Sequence, residues 1–149
     1  MLMTNVDFYI LSDTTAEART AFACRLADTI LRKQYRIHIH VDDAESAAQL
    51  DEQLWQFRPD SYVPHMRLDT PIEPQPPVTI GHGDEAPEPG IDVLLNLALD
   101  IPDWFSRFDR VAEIICQRQD ILNAKRECWQ TYKQRGYPVK SHDMRQAHP

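Results

Sequence analysis

The chain has 149 residues, 42% apolar and 26% charged, and its 16 Lys and Arg against 23 Asp and Glu leave a net charge of -7. That length allows a buried core, and the acidic balance argues against non-specific attraction to a phosphate backbone. No apolar run is long enough to cross a membrane, Met1 to Asn5 lacks the character of a secretory signal, and the 3 cysteines make no disulfide framework. One cytoplasmic domain over residues 1–149 is therefore expected.

In chain order, Asp7 to Leu11 is a short apolar and aromatic run of strand length. Thr14 with Glu17 has capping-box spacing, and Phe22, Leu26 and Ile30 then recur on one face, so a helix is expected to run to Lys33 or Gln34. No glycine stands there to close it, so its exit must use another geometry. Arg36 to Val41 alternates as a strand, with Ile37, Ile39 and Val41 on one side and Arg36, His38 and His40 on the other. Asp42 and Asp43 can cap a second helix that carries Ala47, Leu50 and Leu54, reaches Trp55 and Phe57, and stops at Pro59.

Residues 59–90 hold most of the 11 prolines and read as a long irregular excursion with one short strand at Val78-Thr79-Ile80. Asp92 to Leu97 is a nearly continuous apolar run, as expected of a strand buried on both faces. Pro102 opens a turn or short helix through Trp104 and Phe105, and Val111 to Cys116 is a further strand. Asp120 to Arg135 reads as the last helix, with Ile121, Ala124, Cys128 and Tyr132 inward, Gly136 at its C-terminal cap and Pro138 beyond. Strands alternating with helices predict an α/β sandwich around a mainly parallel sheet.

Enzyme motifs are missing. The first strand runs into Ser12-Asp13-Thr14-Thr15 rather than a glycine-rich phosphate loop, and no nucleophile elbow is present. Gly81-His82-Gly83-Asp84 reads as an exposed turn. His38 and His40 share a strand face, but no further ligand pattern completes a metal site, so neither metal nor cofactor is expected and packed histidines are the plainer reading. Cys128 reads as a small buried hydrophobe.

The most specific surface pattern is aromatic and cationic. Arg126, Trp129 and Lys133 share one helical face, with Lys125 one turn before Trp129. Such a face can dock an acidic, apolar peptide, whereas ordinary packing of Trp129 under solvated cations explains the spacing equally well. Trp55, Phe57 and Tyr62 form a second aromatic group, which core packing alone would also explain.

Six segments stand in order along the chain: Asp7-Phe8-Tyr9-Ile10-Leu11, Leu50-Asp51-Glu52-Gln53-Leu54-Trp55, Asp60-Ser61-Tyr62-Val63-Pro64-His65, Val93-Leu94-Leu95-Asn96-Leu97, Phe105-Ser106-Arg107-Phe108-Asp109-Arg110-Val111 and Tyr132-Lys133-Gln134-Arg135-Gly136-Tyr137-Pro138. Together they resemble the chi subunit of bacterial DNA polymerase III holoenzyme. The resemblance implies a Rossmann-like three-layer fold without a nucleotide site and a non-catalytic accessory role. It implies two partners: a psi subunit that tethers chi to the clamp loader, and the acidic C-terminal tail of single-stranded-DNA-binding protein, which ends in Pro-Phe. DNA is then reached only indirectly.

Carried over residue by residue, the family's tail pocket falls on Trp55, Tyr62, Arg126 and Trp129, with Lys125 and Lys133 as supporting cations. Gln130 and Leu122 stand where the family often has lysine, which weakens long-range attraction to the tail. Trp104, Phe105 and Phe108, three aromatics in five residues, are the candidate psi surface. Two other readings compete. One is a Rossmann-like enzyme using His38 and His40 at a metal or acid-base site. The other is direct single-stranded DNA binding through Trp129, which the net charge disfavours.

Overall fold

The computed structural model describes residues 3–57 and 62–145. Met1, Leu2 and the helix stop expected at Pro59 lie outside them, as do Asp60 and Ser61. The chain runs β1 (Asn5–Ile10), α1 (Ala16–Arg32), β2 (Ile37–Val41), α2 (Ala44–Gln56), β3 (His65–Arg67), β4 (Val78–His82), β5 (Val93–Asn96), β6 (Arg110–Ile115), α3 (Gln119–Gln134) and β7 (Val139–Asp143). A single 3-10 turn covers Phe105–Arg107.

The strands form one 7-stranded sheet in the order β3-β4-β2-β5-β6-β1-β7. Every pairing is parallel, so the expected mainly parallel sheet is entirely so. The period-2 pattern sorts side chains to two cores. Ile37, Ile39 and Val41 join Leu95, Ala112 and Ile114 beneath α1 and α2. Val6, Phe8, Leu94, Val111 and Ile115 face Cys128 and Tyr132 of α3. Three layers result, with α1 and α2 on one face and α3 on the other.

Local chemistry sets the helix ends. The side chain of Thr15, one residue past the expected Thr14, caps α1 by accepting from the Ala18 N–H at 3.2 Å. The missing C-terminal glycine is replaced by Gln34, which takes φ 68°. Asp43 caps α2, accepting from the Ser46 N–H at 2.8 Å. Gly136 closes α3 at φ 84°, with Tyr137 N–H donating back to the Tyr132 carbonyl at 3.1 Å.

The His38 and His40 pair is a packed feature of the α3 side. His38 is bonded through Nδ1 to the Thr79 hydroxyl at 2.7 Å, and Trp104 lies edge-on against both imidazoles. Burial lowers both basicities, that of His38 to about 3. Gly81-His82-Gly83-Asp84 is only half a turn: Gly81 and His82 end β4, with Gly81 buried, and Gly83 alone of the two glycines takes a positive φ.

Candidate protein-interaction site

The sequence of α3 favours a helix on its own terms. Strong helix formers fill it, Asp120 sits in the first turn and Lys133 in the last, each complementing the helix dipole. The helix buries Ile121, Lys125, Cys128 and Tyr132. Cys128 is the buried small hydrophobe expected, its thiol pushed up to about 11 by burial.

Lys125 is corrected. It was expected beside Trp129 as a surface cation, but its side chain is fully withdrawn from solvent. Its ammonium lies 2.7 Å from the Glu113 carboxylate of β6 and also donates to the Ala98 carbonyl. Glu113 in turn accepts from the Tyr132 hydroxyl at 2.6 Å and from Asn96 at 3.0 Å. A lysine one position before an exposed arginine points about 100° around the helix, enough to carry it from the rim into the core.

What remains outside is compact. Trp129 is half-buried, one edge packed on Phe8 with ring centroids 5.0 Å apart. Lys133 holds its ammonium 5.8 Å from the same indole centroid. Arg126 is exposed, and among the described residues nothing pairs with it. A cavity of about 400 Å³ lies between α3 and the strand ends. Ile10, Ile115, Leu122 and Trp129 give it apolar walls, and the half-buried Gln117 with the exposed Arg126, Gln130, Ser141 and Arg145 complete its lining. Arg145 is held by Asp143 at 2.7 Å. Sequence reasoning missed Arg145 because the polar run Val139 to Asp143 gives no strand signal, although it pairs with β1 as an edge strand.

Trp55 and Tyr62 belong elsewhere. Their rings lie 5.5 Å apart, and Trp55 also meets His65 of β3 at 4.5 Å. Trp55 is on α2, on the opposite face of the sheet from α3. From β3 to β1, which carries Phe8 under Trp129, is five strand spacings, roughly 24 Å. A single pocket of Trp55, Tyr62, Arg126 and Trp129 is therefore corrected to two separate surfaces. Neither aromatic is core: Trp55 is 52% and Tyr62 66% exposed.

The candidate surface at Trp104, Phe105 and Phe108 is corrected as well. Phe105 is 3% and Phe108 4% exposed, both in the α3-side core. Phe105 packs edge-on against Tyr132 and Tyr137, at 5.4 and 5.0 Å. The 3-10 turn folds these rings inward as a lid over the core, and Trp104 stays half-buried.

Residues 3–140 match the family model for the DNA polymerase III chi subunit, HolC. The chain belongs to that family. It is 36% identical over 142 residues to the DNA polymerase III subunit chi of Pseudomonas aeruginosa, an alignment covering 95% of this chain and 98% of the relative. It is 27% identical over 143 residues to the chi subunit of Escherichia coli, covering 93% and 97%. The chi subunit of Haemophilus influenzae is 25% identical over 137 residues, covering 92% and 95%. As a chi-family protein it is a non-catalytic accessory subunit of DNA polymerase III, acting in DNA replication, and the enzyme reading of His38 and His40 is set aside. Among the described residues no helix is long and apolar enough to cross a membrane.

Proposed function

We propose that this chain is a cytoplasmic bridge of the replisome, in one domain, with its two partners on opposite faces of the sheet. The α3 face takes the acidic C-terminal tail of single-stranded-DNA-binding protein. The observation that carries this is Arg126, exposed and without a partner among the described residues, beside the apolar cavity that Trp129 walls. The guanidinium meets the tail's carboxylates while the terminal phenyl ring enters the cavity. Lys133 and Arg145 add attraction from the rim. Lys125 contributes only by holding the helix in place.

The psi subunit docks on the other face, at the Trp55 and Tyr62 pair. Two large, adjacent aromatics are exposed there, Trp55 at 52% and Tyr62 at 66%, which suits an apolar protein contact. This chain thereby ties the clamp loader to coated template and touches DNA only through the protein that covers it.

Calorimetric titration with a synthetic acidic peptide ending in Pro-Phe tests the tail site. Rim charge pairs contribute about 0.2–1 kcal/mol each and a buried phenyl ring roughly 1.5–3 kcal/mol, less the cost of ordering the peptide. A one-to-one, salt-weakened isotherm in the micromolar range, about -8 kcal/mol, is expected. Arg126→Ala weakens it at least tenfold. Absence of binding at low salt, or an unchanged isotherm for Arg126→Ala, refutes the tail site.

A further inference from the structure

The segment that looked irregular in sequence brings three metal-ligating side chains together. Asp69, His82 and Glu85 are 13 and 3 residues apart in sequence. β3 and β4 run parallel with Arg67 opposite Ile80, so two residues further on Asp69 emerges beside His82 at the same end of the sheet. Glu85 follows in the next turn, where its backbone N–H donates to the His82 carbonyl at 3.1 Å.

The donor atoms converge. His82 Nε2 lies 4.0 Å from Asp69 Oδ2 and 3.8 Å from Glu85 Oε1. All three ligand atoms fall within 4.8 Å of one another. Two of the groups are already positioned by the backbone or a neighbour: Glu85 Oε1 accepts the His82 N–H at 2.9 Å, and Asp69 Oδ2 accepts from Arg67 at 2.7 Å. Each side chain is between 25% and 34% exposed, so an ion can reach them. The surrounding charge is negative: Asp43 at the start of α2 also acts on His82, and Arg67 is the nearby cation.

We propose that Asp69, His82 and Glu85 bind a divalent transition-metal ion of the zinc class. One imidazole nitrogen and two carboxylate oxygens suit such an ion, whereas magnesium and calcium prefer oxygen alone. A tetrahedral zinc site needs ligand atoms about 3.4 Å apart, so the two distances from His82 close by roughly half an ångström each. The fourth position stays open to water. Arg67 donates to the same Asp69 oxygen, Oδ2, whose remaining lone pair faces the ion, and so acts as an outer partner. The ion would pin the three-residue edge strand β3 to β4 and brace the long connection that carries them.

The test is titration of the chelator-treated full chain with zinc chloride alone, read by calorimetry and by thermal unfolding. One zinc per chain and a raised melting temperature are expected, with no comparable heat from magnesium chloride. His82→Ala and Glu85→Gln, both at partly exposed positions, each weaken binding about tenfold or more, while His142→Ala on the far edge strand leaves it unchanged. No saturable one-to-one binding overturns the site. Equal affinity in wild type and His82→Ala also overturns it, since the zinc would then sit on other side chains.

Discussion

Lys125 of α3 and Glu113 of β6 form an ion pair 2.7 Å long in which neither side chain reaches solvent. Tyr132 and Asn96 complete the carboxylate's hydrogen bonds, and the Ala98 carbonyl accepts from the lysine. Burial and the adjacent carboxylate push the Tyr132 hydroxyl upward, so it remains a protonated donor to Glu113. The network lies directly under α3 and fixes that helix against the sheet. Lys125→Met strands the buried carboxylate and is expected to destabilise the fold by about 3–5 kcal/mol. Lys133→Ala, at an exposed position of the same helix, changes stability by about 0.5 kcal/mol or less. Urea denaturation of the two variants checks the contrast. Equal, small effects would mean that the pair does not hold α3.

The buried histidines give the fold an acid limit. Unfolded, the His38 imidazole takes up a proton near pH 6.5. Folded, it stays neutral down to about 3, because desolvation and then the neighbouring His40 disfavour its charged form. Between those values the unfolded state binds more protons, so stability falls as pH falls, and above pH 7 the effect vanishes. The loss attributable to His38 by pH 5 is about 2 kcal/mol, with His40 acting in the same direction. Urea denaturation at pH 7, 6 and 5 should show this slope, and His38→Gln should flatten it. An equally steep slope in the variant would assign the acid sensitivity to other groups.

Gly81 is required for want of space. A Cβ there would lie 2.9 Å from His38 Cε1 and 3.0 Å from Leu68 Cδ1. The His38 ring is tied to Thr79 and backed by Trp104, so it has little room to yield. Gly81→Ala should cost about 1–3 kcal/mol through overpacking, where Gly83→Ala meets no neighbouring atom and pays only for its positive φ. Thermal unfolding of both variants separates steric from conformational cost. A fully neutral Gly81→Ala would show that the β2–β4 pair can spread.

The central strands were legible because burial imposes a pattern on them. Ile37, Ile39 and Val41 alternate, Val93 to Leu97 is apolar except for Asn96, and both readings name the faces the structure uses. The two edge strands left no such trace. β3 is three residues long inside a proline-rich stretch, and β7 is a mostly polar run held by backbone pairing with β1 and by His142, which bonds Asp7 and stacks on Tyr9. Helix periodicity placed Arg126 and Trp129 on an outer face but could not place Lys125, whose long stem reaches an acid buried on another element. Exposure of Trp55 and Tyr62, and burial of Phe105 and Phe108, likewise depend on tertiary packing that local composition does not encode. The same holds for Asp69 and His82, which only the β3–β4 register makes neighbours.

Separation of the two surfaces is tested most directly by titrating the tail peptide into the chain alone and into its complex with psi, using wild type, Arg126→Ala and Trp55→Ala. Opposite faces of the sheet require that psi leave the peptide affinity unchanged, that Arg126→Ala lose the peptide and keep psi, and that Trp55→Ala do the reverse. Competition between psi and the peptide, or loss of peptide binding in Trp55→Ala, would contradict the separation and return both partners to a shared surface.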